Sequence, residues 1–160
     1  MNISCSDNTS YLVKGVSEPV ISLNGKWNII TSGYENAMQL HEGTLKWADI
    51  NVPGEAMMQG IPIKHDQPFL YSREITIPEE FNGKIIKIRF EGVYSYARVW
   101  INENFVREHH GGFTAWECDI TPFVKPGGKT QIYVEVTDRA DEISYRSEEH
   151  TSELQSRQSI

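Results

Sequence analysis

Short segments of period-two hydrophobicity, set between turn residues with almost no helical pattern, predict an all-β fold, an antiparallel sandwich or barrel. Two observations carry the prediction. Residues 69–78, 84–93, 96–101 and 130–137 each alternate apolar with polar side chains, which places one face of an extended strand against a core. The stretch 108–124, EHHGGFTAWECDITPFV, changes backbone geometry three times in the manner of a sandwich corner.

In chain order, residues 1–20 are polar and irregular. Residues 22–30 give a turn at Asn24-Gly25 and a strand carrying Trp27, Ile29 and Ile30. Residues 31–47 have no clean period. Ala37, Leu40 and His41 sit at helical spacing until Gly43 interrupts, so the segment reads as a loop. A short strand over 45–53 ends at Pro53-Gly54, and 55–59 form one helical turn closed by Gly60. Over 69–78, Tyr71, Arg73, Ile75 and Ile77 share a face.

Asn82-Gly83 is a hairpin signal. It is expected to lead into a strand over 84–93 with Ile86, Ile88 and Phe90 inward and Lys87 and Arg89 outward. The next strand sets Ala97, Val99 and Ile101 against Tyr96, Arg98 and Trp100, and a turn at 102–104 reverses it into Phe105. Gly111-Gly112 allows a sharp turn. Phe113, Trp116, Cys118 and Ile120 then read as a strand, and Thr121-Pro122 as a helix start with Thr121 as N-cap. Pro126-Gly127-Gly128 stops that turn. Ile132, Val134 and Val136 face inward from the last strand, opposite Tyr133 and Glu135.

A chain of 160 residues with 39% apolar content makes one domain with one core. No apolar run reaches the length of a membrane span. The net charge of −7, with no Lys/Arg cluster, argues against nucleic acid as a partner. Cys5 and Cys118 are two cysteines only, which do not make a disulfide framework. Cys118 reads as a small buried hydrophobe. The first fourteen residues have neither a basic start nor an apolar h-region. Ile3-Ser4-Cys5 is similar to the end of a bacterial lipoprotein signal, which would make the protein periplasmic or secreted. Residues 146–160 break the strand pattern: from 146 to 156 the one apolar residue is Leu154. RSEEHTSELQS is also the translation of a widely used sequencing adapter. The tail is therefore read as adapter read-through without regular structure, and the domain as residues 21–145.

Read together, these strands resemble the N-terminal, sugar-binding domain of glycoside hydrolase family two, the family of β-galactosidases and β-glucuronidases. The resemblance runs through Leu23-Asn24-Gly25-Lys26-Trp27, Val52-Pro53-Gly54, Tyr71-Ser72-Arg73-Glu74 with Ile77-Pro78, Arg89-Phe90-Glu91-Gly92-Val93, and Tyr96 with Val99-Trp100-Ile101-Asn102. Its most specific part is Glu108-His109, Gly111-Gly112-Phe113-Thr114, Glu117 and 119–124, which look closest to β-glucuronidases. The resemblance implies a jelly-roll β-sandwich of the galactose-binding-domain kind, here lacking its last strand. In the family an immunoglobulin-like domain follows, then a β/α barrel carrying two catalytic glutamates. The barrel would be this domain's partner, the parent's carbohydrate its substrate, and a homo-oligomer its assembly.

A barrel takes about 250 residues, so this chain is expected to be inactive alone, with no catalytic residue, cofactor or metal of its own. Glu79-Glu80, the one adjacent carboxyl pair outside the tail, is explained by a solvated turn. His109-His110 with Cys118 and Asp119 lacks a zinc spacing, and adjacent strand residues point to opposite faces. Tyr96, Trp100, Trp116 and Tyr133 are read first as core and second as a sugar platform. The resemblance sends the loop after Thr137 toward the barrel, which makes Asp141, then Asp138, with Arg139 beside it, the substrate-proximal residues. A free-standing carbohydrate-binding module and a protein-interaction sandwich are the alternatives. Deleting residues 146–160 is expected to leave the melting temperature unchanged, as read by calorimetry; a clear drop would make the tail part of the fold.

Overall fold

The computed structural model describes residues 19–33 and 45–139. Among these residues eight strands run in order: β1 Gly25–Ile30, β2 Ala48–Val52, β3 Pro68–Thr76, β4 Lys87–Phe90, β5 Tyr96–Ile101, β6 Asn104–His110, β7 Trp116–Asp119 and β8 Lys129–Thr137. Single 3-10 turns lie at Met57–Gln59, Glu79–Phe81 and Thr121–Phe123. Six strands form one antiparallel sheet in the order β2-β1-β3-β8-β5-β6, and β4 pairs with β7 in a second. The all-β antiparallel sandwich expected from the alternation is the observed fold.

The two sheets close on one core, for the reason the sequence pattern implied. Ala97, Val99 and Ile101 from β5, and Ile132, Val134 and Val136 from β8, are buried with Trp27, Ile29, Phe69 and Tyr71. From the smaller sheet come Ile88, Phe90, Trp116 and Cys118. Phe90 stacks on Trp116 at 4.2 Å, and His109 stacks on Trp116 at 4.7 Å, so an edge strand of the large sheet is tied to the small one. Ile30, Leu70 and Trp100 form a second buried cluster, with Leu45 and Tyr133 against it. The middle strands of the large sheet thus bury apolar side chains on both faces.

Several local expectations change. Asn82-Gly83 is a turn, with Gly83 at φ 73°, yet it does not close a hairpin. β3 pairs with β8 and β4 with β7, so the turn belongs to a crossover between sheets. Turn chemistry is local, whereas pairing is decided by packing. The strand expected over 84–93 is regular only at Lys87–Phe90, and Ile85 is 72% exposed. Phe113 is likewise 71% exposed and the strand that follows it starts at Trp116. Thr121 is inside its 3-10 turn rather than capping it. Its Oγ1 accepts the Ile86 amide at 2.8 Å, and Asp119 Oδ1 accepts the Thr121 amide at 2.9 Å. Asp119 supplies the Asx-type bond, and those bonds to Thr121 hold its carboxyl below the usual range.

Glu135, expected to face outward as a polar residue, is 2% exposed and pairs with Arg98 directly across the β5–β8 ladder. The Arg98 guanidinium also lies 5.3 Å from the Trp100 ring centre.

Cys118 is a buried free thiol. Burial pushes it from 9.0 up to about 11, against a smaller lowering by Arg107. Below pH 9 the thiol is protonated in folded and unfolded chains alike. Above it the unfolded chain ionises while the folded chain holds its proton to about pH 11, so stability falls across that window. Denaturant titrations from pH 8 to 11 are expected to show a shallower decline for Cys118→Ala than for the wild type.

Candidate functional site

Asp138 and Arg139 follow β8 directly, at the end of the large sheet where β8 and β6 finish and β3 and β5 begin. The register places Thr137 opposite both Pro68 and Tyr96, and Tyr96 opposite His110. Residues far apart in sequence therefore meet at this pole. Asp141, the residue ranked first from the sequence, lies outside the described residues.

The pole is built on Ser95, which is fully buried. The Ser95 amide donates to the Thr137 carbonyl at 3.3 Å, and its Oγ accepts the Arg139 amide at 3.1 Å. Its carbonyl accepts the Gly111 amide at 2.8 Å. On the other side, the Asp66 amide donates to the Asp138 carbonyl at 2.8 Å. Asp138 Oδ2 lies 3.0 Å from His65 Nδ1, whereas its Oδ1 is buried with no hydrogen-bond partner among the described residues. A carboxylate oxygen left in that state is an acceptor in need of a donor.

Arg139 lays its guanidinium over Tyr96, 4.1 Å from the ring centre. The Tyr96 hydroxyl donates to Glu108 Oε2 at 2.7 Å, and His110 packs against the same ring at 4.4 Å. Partial burial, followed by the bond to Glu108, raises the Tyr96 phenol above its ordinary value. His109 turns the other way, onto Trp116, where burial and then Arg107 lower its imidazole. The two adjacent histidines thus face different surroundings.

The four aromatic residues weighed as a sugar platform do not form one. Trp116 sits in the core between the sheets, while Trp100 and Tyr133 pack in the cluster on the other face of the large sheet. Tyr96 has its ring occupied by Arg139. Glu79 and Glu80 lie in the 3-10 turn after β3, at the opposite end of the sheet from Asp138.

Over residues 20–152 the sequence matches the family described as "Glycosyl hydrolases family 2, sugar binding domain". The chain belongs to that family. A β-galactosidase of Thermoanaerobacter pseudethanolicus is 41% identical over 70 residues, which make up 43% of this chain and 9% of that protein. A β-glucuronidase of Bacteroides fragilis is 41% identical over 64 residues, 40% of this chain and 9% of that one. The β-glucuronidase of Ruminococcus gnavus, solved in complex with a C6-substituted uronic isofagomine, superposes with a TM-score of 0.63 at 25% identity. The match covers 73% of this chain and 21% of that one. This glycosyl hydrolase family 2 domain thus spans between about a tenth and a fifth of the proteins it resembles.

Sequence reasoning placed Asp138 and Arg139 here but not their supports. His65, Ser95, Tyr96 and Glu108 arrive through strand register, which no local motif encodes. Gly112 offered the one readable signal. It is buried, and a β-carbon there would stand 2.4 Å from Tyr94 Cδ2 and 2.9 Å from Tyr94 Cα. Tyr94 must shift to admit it, and overpacking of this kind costs about 1–3 kcal/mol. Gly112→Ala is expected to lose that much in equilibrium denaturation; unchanged stability would mean that this loop does not pack on Tyr94.

Proposed function

We propose that this chain is the non-catalytic sugar-binding-family domain of a longer glycosidase acting on β-glucuronides or β-galactosides. In that protein it braces the catalytic barrel, contributes to homo-oligomer assembly, and lines one wall of the active site with the loop that leaves β8. The observation that carries this reading is the family match over residues 20–152, in a chain covering 21% of a β-glucuronidase of known structure. The names of its relatives, β-galactosidase and β-glucuronidase, supply the substrate class.

The pole supports the placement of the loop. Asp138 has a carboxylate oxygen there with no hydrogen-bond partner among the described residues, and Arg139 is held beside it on Tyr96. A carboxylate can accept hydrogen bonds from sugar hydroxyls, each charged bond contributing about 1.5–3 kcal/mol. Bonds that tighten as the ring flattens toward an oxocarbenium ion act on the chemical step as well as on binding.

In the longer glycosidase, Asp141→Ala is expected to lower kcat/KM by about 10- to 100-fold, and Asp138→Ala to lower it less. Wild-type kcat/KM in Asp141→Ala, with folding matched by circular dichroism, would make the loop a connector. Tryptophan fluorescence of the chain alone, titrated with galactosides and glucuronides, separates the free-standing binding module from this reading. A module saturates, and a bracing domain gives no saturable change.

A further inference from the structure

We infer that Ser95 and Tyr96 are positioning residues for the Asp138–Arg139 turn, Ser95 fixing its main chain and Tyr96 its guanidinium. The inference rests on the reading that this turn faces substrate, and it identifies what holds the turn in place.

A chain leaving the end of a strand loses its ladder partners and ordinarily gains freedom within a residue or two. Here each of three successive residues is held by a group outside β8. The Thr137 carbonyl accepts the Ser95 amide at 3.3 Å, the Asp138 carbonyl accepts the Asp66 amide at 2.8 Å, and the Arg139 amide donates to Ser95 Oγ at 3.1 Å. Ser95 Oγ also lies 3.4 Å from the Thr137 carbonyl. One hydroxyl can therefore donate to residue 137 while accepting from residue 139, which spans the point where the strand ends. Ser95 is fully buried, so water does not compete for these bonds.

The side chain of Arg139 is fixed separately. Its guanidinium lies 4.1 Å over the Tyr96 ring, and the ring is anchored by the hydroxyl bond to Glu108 at 2.7 Å and by His110 against it at 4.4 Å. Stacking on an aromatic face restrains the guanidinium while leaving its N–H groups available to a ligand. A turn restrained in both main chain and side chain is ordered before a ligand arrives, which is the requirement for precise contacts at a reacting sugar.

Amide hydrogen exchange in the 160-residue chain tests the main-chain half. Ser95→Ala is expected to speed exchange at Arg139 about tenfold while core amides of β3 and β5 keep their protection. Unchanged Arg139 exchange in a folded Ser95→Ala chain would overturn it. If that variant does not fold, the near-isosteric Ser95→Cys, whose sulfur is a weaker acceptor, serves instead and is expected to speed exchange of the same amide; no change would count against the inference.

Kinetics in the longer glycosidase test the side-chain half. Tyr96→Leu is expected to lower kcat/KM about three- to fivefold, while Tyr96→Phe, which loses the bond to Glu108 but keeps the ring under Arg139, is expected to lose clearly less. Equal losses in both variants would show that stacking is not the cause. Asp141→Ala, made in parallel, keeps the two ideas apart. If Asp141→Ala lowers kcat/KM and Tyr96→Leu does not, the positioning role fails and the site reading stands. If neither lowers it, the site reading fails, and the exchange result alone decides whether Ser95 holds the turn.

Discussion

The structure depends on the insertion of β8 between β3 and β5. The β3–β8 ladder runs without a break from Pro68↔Thr137 to Thr76↔Lys129, and six further pairs join β8 to β5. Without β8 the large sheet would be two separate halves, β2-β1-β3 and β5-β6. The same strand buries Ile132, Val134 and Val136 in the intersheet core and Glu135 on its other face. A strand bonded along both edges and covered on both faces leaves its end in a defined place, and the candidate site begins at that end.

This arrangement also accounts for the ion pair of the buried Glu135. Glu135 and Arg98 are direct cross-strand neighbours on β8 and β5, the geometry in which opposite charges help a sheet most. Desolvating a carboxylate costs more than a lone partner returns unless it is well bonded. Removing Arg98 would leave a buried carboxylate uncompensated, and a one-residue slip would put Glu135 against a different neighbour, so the pair favours this register.

What the sequence made legible follows from which forces act locally. Alternation identified the inward residues of β4, β5 and β8 because side-chain direction in a strand depends only on position. Gly60 and Gly83 marked their turns for a similar reason, and both adopt positive φ. Pairing was not legible. Residues as far apart as Pro68 and Thr137 meet through packing, which misled the hairpin reading of Asn82-Gly83, and the burial of Glu135 needed Arg98 on a neighbouring strand. The candidate site divides in the same way. Asp138 and Arg139 came from the resemblance, whereas Ser95, Tyr96, His65 and Glu108 are brought to them by register.

The placement of the four tryptophans divides the chain's optical signal. Trp27 and Trp116 lie between the sheets, Trp116 sandwiched by Phe90 and His109. Trp100 belongs to the cluster on the other face, and Trp47 is partly open to solvent. Emission from Trp116, beside an imidazole that quenches it more strongly when protonated, reports on docking of the two sheets. Emission from Trp100 reports on the cluster it forms with Ile30 and Leu70 on the opposite face. Single-tryptophan versions of the chain would therefore resolve whether the two faces of the large sheet come apart together or in succession.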